Sequence, residues 1–98
     1  MPTYVLMTKL GPEIASNLKS RRKRGEEWKR TVAAKCPKVK WIAHYALLGP
    51  YDFMDLYDAP DSETAARVSL LTRSLGAISA ESWTAVPYTD FLKIVEKL

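Results

Sequence analysis

Apolar residues recur along this chain with two periods, one suited to strands and one to helices. Residues 3–10 (TYVLMTKL) are β-forming and apolar on both faces, as in a strand covered on two sides. Pro12 and Glu13 then suit a first helical turn, the ring because its φ is pre-set and the carboxylate because of the helix dipole. Ile14 and Leu18 lie one turn apart on one face. The basic stretch 19–24 and Gly25 interrupt this period, which resumes with Trp28, Val32 and Cys36 at spacing four and stops at Pro37. The first crossover is therefore expected as one broken helix or two short ones. Residues 39–47 read as a second strand, with Trp41, Ala43, Tyr45 and Leu47 on one face and Ile42, His44 and Ala46 on the other. Residues 53–57 read as a third strand. A loop follows, and Asp61 or Ser62 caps the next helix. Its buried stripe is Ala65, Val68, Leu71 or Thr72, and Leu75. Gly76 stands where a helix end wants a left-handed residue. Residues 78–86 read as a fourth strand. Thr89 or Asp90 is expected to cap a last helix, whose Phe91, Ile94, Val95 and Leu98 share a face.

The order β-α-β-β-α-β with a C-terminal helix is that of an α+β, ferredoxin-like antiparallel sheet. Such a sheet carries helices on one face. Its strands are too apolar here for two helices to cover: Tyr4, Val5, Leu6, Met7, Trp41, Ile42, Tyr45 and Trp83 all need shelter. The expected solution is a homodimer packed sheet to sheet, burying Tyr4 and Leu6, or their alternates, with Trp41 and Trp83. A higher homo-oligomer that also uses strand edges is the alternative.

Composition narrows the class. The chain has 98 residues, 47% hydrophobic and 27% charged, which fits one globular domain over residues 1–98. No apolar run is long enough for a bilayer and no signal peptide is expected, so no membrane role is expected. A single cysteine, Cys36, excludes an internal disulfide and suits a reducing compartment, so a cytoplasmic location is expected. The net charge of +4 comes largely from the stretch 19–24, with Lys35, Lys38 and Lys40 following. A run this short is ordinarily a solvated face, exposed and dispensable for folding. Its sharper reading is an anion, polyanion or nucleic-acid contact through Arg21, Arg22, Lys23 and Arg24. Interleaved aromatics and zinc-finger spacing are absent, so nucleic acid is not the expected partner.

The turn between the second and third strands reads Leu47-Leu48-Gly49-Pro50-Tyr51-Asp52-Phe53. Pro50 fixes φ at the value wanted early in a tight turn, and Gly49 tolerates unusual φ. Asp52 is placed to accept nearby backbone N–H groups and lock the hairpin. Tyr51 brings an apolar ring and a polar tip. Turn chemistry alone accounts for most of these residues, but they also carry a resemblance. Gly49, Tyr51 and Asp52 match the residues for which the GYD domain family is named, and residues 45–52 look like its central motif. Pro2-Thr3-Tyr4 with Thr8-Lys9-Leu10 looks like its opening strand. Ala59-Pro60-Asp61, Glu63-Thr64-Ala65-Ala66, Leu75-Gly76 and Pro87 also fit. The resemblance spans almost the whole chain and implies a dimeric α+β barrel, without implying a particular reaction. Asp58 stands where that family more often has Glu, and Arg21 to Arg24 are more basic than its pattern.

Candidate chemistry is sparse. His44 is the only histidine, which excludes a multi-histidine metal site within one chain, and no metal or cofactor is expected. A histidine titrates near neutrality and suits a general base; a satisfied core or interface histidine is the plainer reading. By analogy with other dimeric α+β barrels, His44, Tyr45 and Asp55 are the candidates for a cofactor-independent, oxygenase- or isomerase-like enzyme with a barrel pocket. Asp52, Asp55, Asp58 and Asp61 recur every three residues but cross a turn, a strand and a loop, so they do not converge on a cation. Phosphate-cradling loops and nucleophile motifs are absent. Cys36, between Lys35 and Lys38, reads as a packed helix-end thiol. Trp28, Trp41 and Trp83 read as core fillers or as the lining of an aromatic pocket. The leading expectation is a small homodimeric binding or regulatory module, with any small-molecule ligand unspecified. The enzyme and the polyanion contact are the alternatives.

Overall fold

The computed structural model describes residues 1–98. Its elements run β1 (Thr3–Leu10), α1 (Pro12–Ser16), a 3-10 turn (Leu18–Ser20), α2 (Arg21–Lys35), β2 (Lys40–Ala46), β3 (Phe53–Asp58), α3 (Ser62–Ser74), β4 (Ala77–Ala85) and α4 (Tyr88–Glu96). The strands form one antiparallel sheet in the order β2-β3-β1-β4, the ferredoxin-like arrangement expected from the chain order.

Local chemistry sets the boundaries. Pro12 opens α1, which ends at Asn17. The crossover is broken as expected, but between Ser16 and Arg21 and not at Gly25. Arg21 to Arg24 form the first turn of α2, and Gly25 lies within it. Arg and Lys are good helix formers, and their propensity outweighs the unfavourable placing of cations at a helix N-terminus. Asp61 caps α3 by accepting from the backbone N–H of Thr64 at 2.8 Å and its hydroxyl at 2.6 Å. Gly76 turns the chain from α3 into β4 at φ 117°, where a Cβ would stand 2.1 Å from the Cδ1 of Ile14. Only glycine fits there. α4 begins at Tyr88 behind Pro87, slightly before the expected Thr89 or Asp90 cap, and has no side-chain cap.

α2 and α3 cover one face of the sheet. Leu6, Tyr57, Val32 and Val68 are fully buried between them, and Tyr4 stacks on Tyr57 at 5.5 Å between ring centroids. Each fully buried apolar side chain of this size contributes about 1.5–3 kcal/mol. The helix stripes Trp28, Val32, Cys36 and Ala65, Val68, Thr72 point into this core as their spacing predicts.

The second strand departs from strict alternation. Trp41 pairs with Tyr57, but Ala43 already pairs with Leu56, so Ile42 is an extra residue opposite no partner. This β-bulge resets the faces. Trp41 and His44, expected on opposite sides, both stand on the helix side. Trp41 packs on Trp28 at 4.9 Å and Tyr57 at 5.3 Å, so it belongs to this core and not to a sheet-to-sheet interface.

The other face carries Val5, Met7, Tyr45, Met54, Leu56 and Trp83, and no helix of this chain covers it. Tyr45 and Trp83 are 56% and 46% exposed. α4 projects away, and every residue from Val86 to Leu98 is exposed. The molecule measures 50 × 30 × 18 Å with a radius of gyration of 14.6 Å, against about 13 Å for a compact chain of this length. No helix is long and apolar enough to cross a membrane.

Candidate functional site

Two of the three enzymatic candidates meet. The bulge aims His44 at the helix side, where it pairs across the sheet with Asp55 of β3. Its Nδ1 is hydrogen-bonded to Asp55 Oδ1. The Asp55 side chain is only 3% exposed, whereas that of His44 is 48% exposed. Burial pushes the Asp55 carboxyl above its ordinary range, and the His44 imidazole and then the Lys29 ammonium pull it partly back. Because Asp55 holds Nδ1, Nε2 is the ring nitrogen left to face other groups. Trp28 and Phe53 flank the imidazole in near-parallel planes, with centroids 6.1 and 5.7 Å away. Tyr45, the third candidate, is the next residue of the strand and so lies on the opposite face of the sheet. It takes no part in this pair.

The pair lies at the wall of a cavity of about 430 Å³ between the sheet and the N-terminal half of α2. Thr8, Leu10, Phe53 and Ala77 come from the sheet, Ile14 from α1, and Thr72 and Leu75 from α3. Trp28 is oriented by donating its indole N–H to the Thr72 hydroxyl at 2.9 Å, which in turn donates to the Val68 carbonyl at 2.7 Å. The basic run turns out to be part of this wall. Arg21, Arg22 and Arg24 line the cavity, and Lys23 does not. Arg22, Lys23 and Arg24 are exposed, as expected of a solvated run.

Arg21 alone of the four departs from the expected solvated role. It is partly buried, its Nη2 donates to the Ala15 carbonyl at 2.8 Å, and its guanidinium lies 5.9 Å from the centroid of Phe53. Its Nε is sealed from water and makes no hydrogen bond, a state that costs about 1–3 kcal/mol for a buried donor. The sequence did hold a signal for this. Arg21, Gly25, Trp28 and Val32 stand at i, i+4, i+7 and i+11, one face of α2. Gly25 lines the cavity too, and a Cβ there would meet nothing within 4 Å.

The Gly49-Pro50-Tyr51-Asp52 motif sits elsewhere. Its loop is closed by Leu47 N–H donating to the Asp52 carbonyl at 2.8 Å. The Asp52 carboxylate does not lock its own hairpin as expected. It accepts the Leu10 N–H of β1 at 2.7 Å, just where the register of β1 against β4 slips between Lys9 and Leu10. A backbone donor freed by that irregularity is thereby satisfied. Asp52 N–H donates to the Thr8 carbonyl at 2.8 Å, and Lys9 Nζ donates to the Pro50 carbonyl at 3.0 Å. The motif thus fastens the β2–β3 loop to the end of β1. Tyr51 reaches across the open face, donating to Glu81 Oε2 at 3.0 Å with its ring edge-on to Trp83 at 6.1 Å. Glu81 also accepts the Trp83 indole N–H at 3.0 Å and the Ser79 hydroxyl at 3.3 Å. These donors, Trp83 first, hold the Glu81 carboxyl below its ordinary range, and the same hydrogen bond raises Tyr51. Gly49 has a negative φ and open space around it, and nothing in the structure explains why glycine stands there.

The remaining candidates are structural in place. Cys36 is buried, and burial pushes its thiol up, which opposes activation by the neighbouring lysines. Asp52, Asp55, Asp58 and Asp61 each hold different partners: the Leu10 N–H, His44, the Thr3 hydroxyl at 2.6 Å, and Thr64.

Comparison with known proteins agrees with the resemblance read from the motif. The GYD domain matches residues 4–95. A Thermus thermophilus protein named "Glutamine synthetase and cystathionine beta-lyase binding protein" is 32% identical over 92 residues, which cover 94% of this chain and 96% of that protein. No solved structure matches. The match over nearly all of its length places this chain in the GYD domain family.

Proposed function

We infer that this chain, one domain over residues 1–98, is a small homodimeric binding module that engages metabolic enzymes in the cytoplasm. The observation that carries this reading is the uncovered apolar surface. Tyr45 and Trp83 on the open sheet face, and Phe91, Ile94, Val95 and Leu98 along α4, are all exposed. A second copy is the occupant that fits. The open face and the α4 stripe follow one another along the chain through Val86 and Pro87, so a two-fold pairing covers both with the same surface. The name of the Thermus relative, a binding protein for two enzymes, supports protein partners beyond the second copy. The buried, unpaired thiol of Cys36 is compatible with a reducing compartment.

Sedimentation velocity at micromolar concentration is expected to give a dimer, and a monodisperse monomer overturns the pairing. Interferometry against purified glutamine synthetase and cystathionine β-lyase is expected to give saturable binding to at least one of them. A dimer that binds neither removes the enzyme-partner half of the reading.

A second reading, a cofactor-independent enzyme, is favoured by one specific feature: a carboxylate-held imidazole at the wall of a cavity large enough for a small molecule. Its signature is a reaction that survives chelation and is lost in His44→Gln, with the fold retained.

A further inference from the structure

We propose that the cavity under α2 is a binding site for a small organic carboxylate with a flat, apolar body. This goes beyond the binding-module reading and does not depend on the chain pairing. It concerns the same cavity as the enzyme reading, but it requires no turnover.

Charge is the first ground. Arg21, Arg22, Arg24 and Lys29 line the cavity against only Glu26 and Asp55, an excess of two positive charges with His44 counted as neutral. None of the four cations is paired: the two ion pairs of the chain are His44–Asp55 and Arg67–Glu63. Unpaired cations gathered around a concave, partly apolar space attract an anion.

Shape and lining are the second. Trp28 and Phe53 present aromatic surface, and Leu10, Ile14 and Leu75 present aliphatic surface. A bare inorganic anion leaves these walls unfilled. A flat apolar body fills them and carries its carboxylate to the guanidinium groups, whose planar fork suits that group.

Gly25 is the third. A glycine inside a helix costs about 1 kcal/mol relative to alanine. Here φ is not positive and a Cβ would meet no atom within 4 Å, so neither backbone nor packing requires glycine. What its missing side chain does provide is room in the cavity that it lines.

The test is isothermal titration of the full chain with four probes. 1-Naphthoate has both charge and body, 1-naphthamide the body alone, and acetate and inorganic phosphate the charge alone. 1-Naphthoate is expected to bind with a Kd of about 1 mM or tighter, and each of the other three at least about tenfold more weakly. Gly25→Leu should fill the cavity and weaken 1-naphthoate at least about tenfold while its Tm stays level or rises. Arg21→Gln should weaken it similarly, and Arg30→Gln, which lies outside the cavity, should not. Absence of 1-naphthoate binding overturns the proposal. So does equal binding of the amide, which makes the site merely apolar, or of phosphate, which makes it a bare anion site. Unchanged binding in a folded Gly25→Leu places any ligand elsewhere and also overturns it.

Discussion

The two faces of the sheet are made by the same four strands, yet only one is completed within the chain. On the helix side, Leu6 and Tyr57 have no exposure, and the polar atoms are answered internally. The Tyr57 hydroxyl meets Ser82 Oγ at 2.7 Å, Ser82 meets Ser69 Oγ at 2.7 Å, and the Trp28 indole meets Thr72. On the other side the polar groups are also organised, with Glu81 gathering Tyr51, Trp83 and Ser79, but of the apolar side chains only Met7 is buried, and Tyr45 and Trp83 stand about half in solvent. Polar satisfaction without apolar cover is what a pre-ordered interface looks like before its partner arrives. The fully buried side chains of the fold therefore lie mostly on the helix side, and the proposed pairing would use the open side.

The largest effect should come from the covered face. Leu6→Ala is expected to cost about 2–5 kcal/mol, because it removes a fully buried side chain and leaves a cavity. Urea titration measures it, and a loss below about 1 kcal/mol would mean that this face is not the stabilising one.

Tyr57 gives a pH signature of the same face. Its hydroxyl is pushed up to about 12 from an ordinary 10.0, chiefly because burial disfavours the phenolate. The unfolded chain loses this proton first, so the contribution is undiminished below pH 10 and falls as pH rises from about 10 toward 12. The loss is roughly 2 kcal/mol across that window. Tyr57→Phe should flatten this alkaline limb relative to the parent, as read by denaturation at several pH values. An unchanged limb would mean that the hydroxyl is not held in the protonated form by burial.

How far the sequence foretold these two faces depends on where periodicity was broken. The order of strands and helices was legible because β-branched and aromatic blocks alternate with 3.6-period stripes, and Asp61, Gly76 and Pro37 mark the ends. The second strand misled, because a bulge at Ile42 has no composition signal when both faces are apolar. It exchanged the sides of His44 and Tyr45, so the pairing of His44 with Asp55 was hidden although both residues stood out. The basic stretch misled for a different reason. Its charge density concealed that Arg21 continues the Trp28–Val32 face, and so the cavity was invisible. Asp52 was recognised as a hydrogen-bond acceptor, but its partner lies in β1, 42 residues away in sequence, and local turn rules do not reach that far.

Asp52 joins the two faces at one edge and gives a smaller effect. Asp52→Ala strands the Leu10 N–H and should cost about 1 kcal/mol or somewhat more. Asp52→Asn keeps an acceptor oxygen and should cost less. Equal losses in thermal melts of the two variants would show that the charge, and not the hydrogen bond, secures the loop.

The smallest effect on folding, and the sharpest contrast, belongs to the open side. Phe91 stands on the uncovered stripe of α4 and is 48% exposed. Its ring stacks on that of Tyr88 at 6.2 Å. Phe91→Asp should therefore change the folding free energy of the monomer by no more than about 0.5 kcal/mol. In a homodimer the same change places a carboxylate in an apolar contact, and association should weaken at least about tenfold. Melts at low concentration report the first quantity, and sedimentation across a dilution series reports the second. A variant that dimerises like the parent would leave α4 without a part in the pairing. A variant that melts far below the parent, even as a monomer, would mean that α4 stabilises its own chain, and the division between a finished face and an unfinished one would fail.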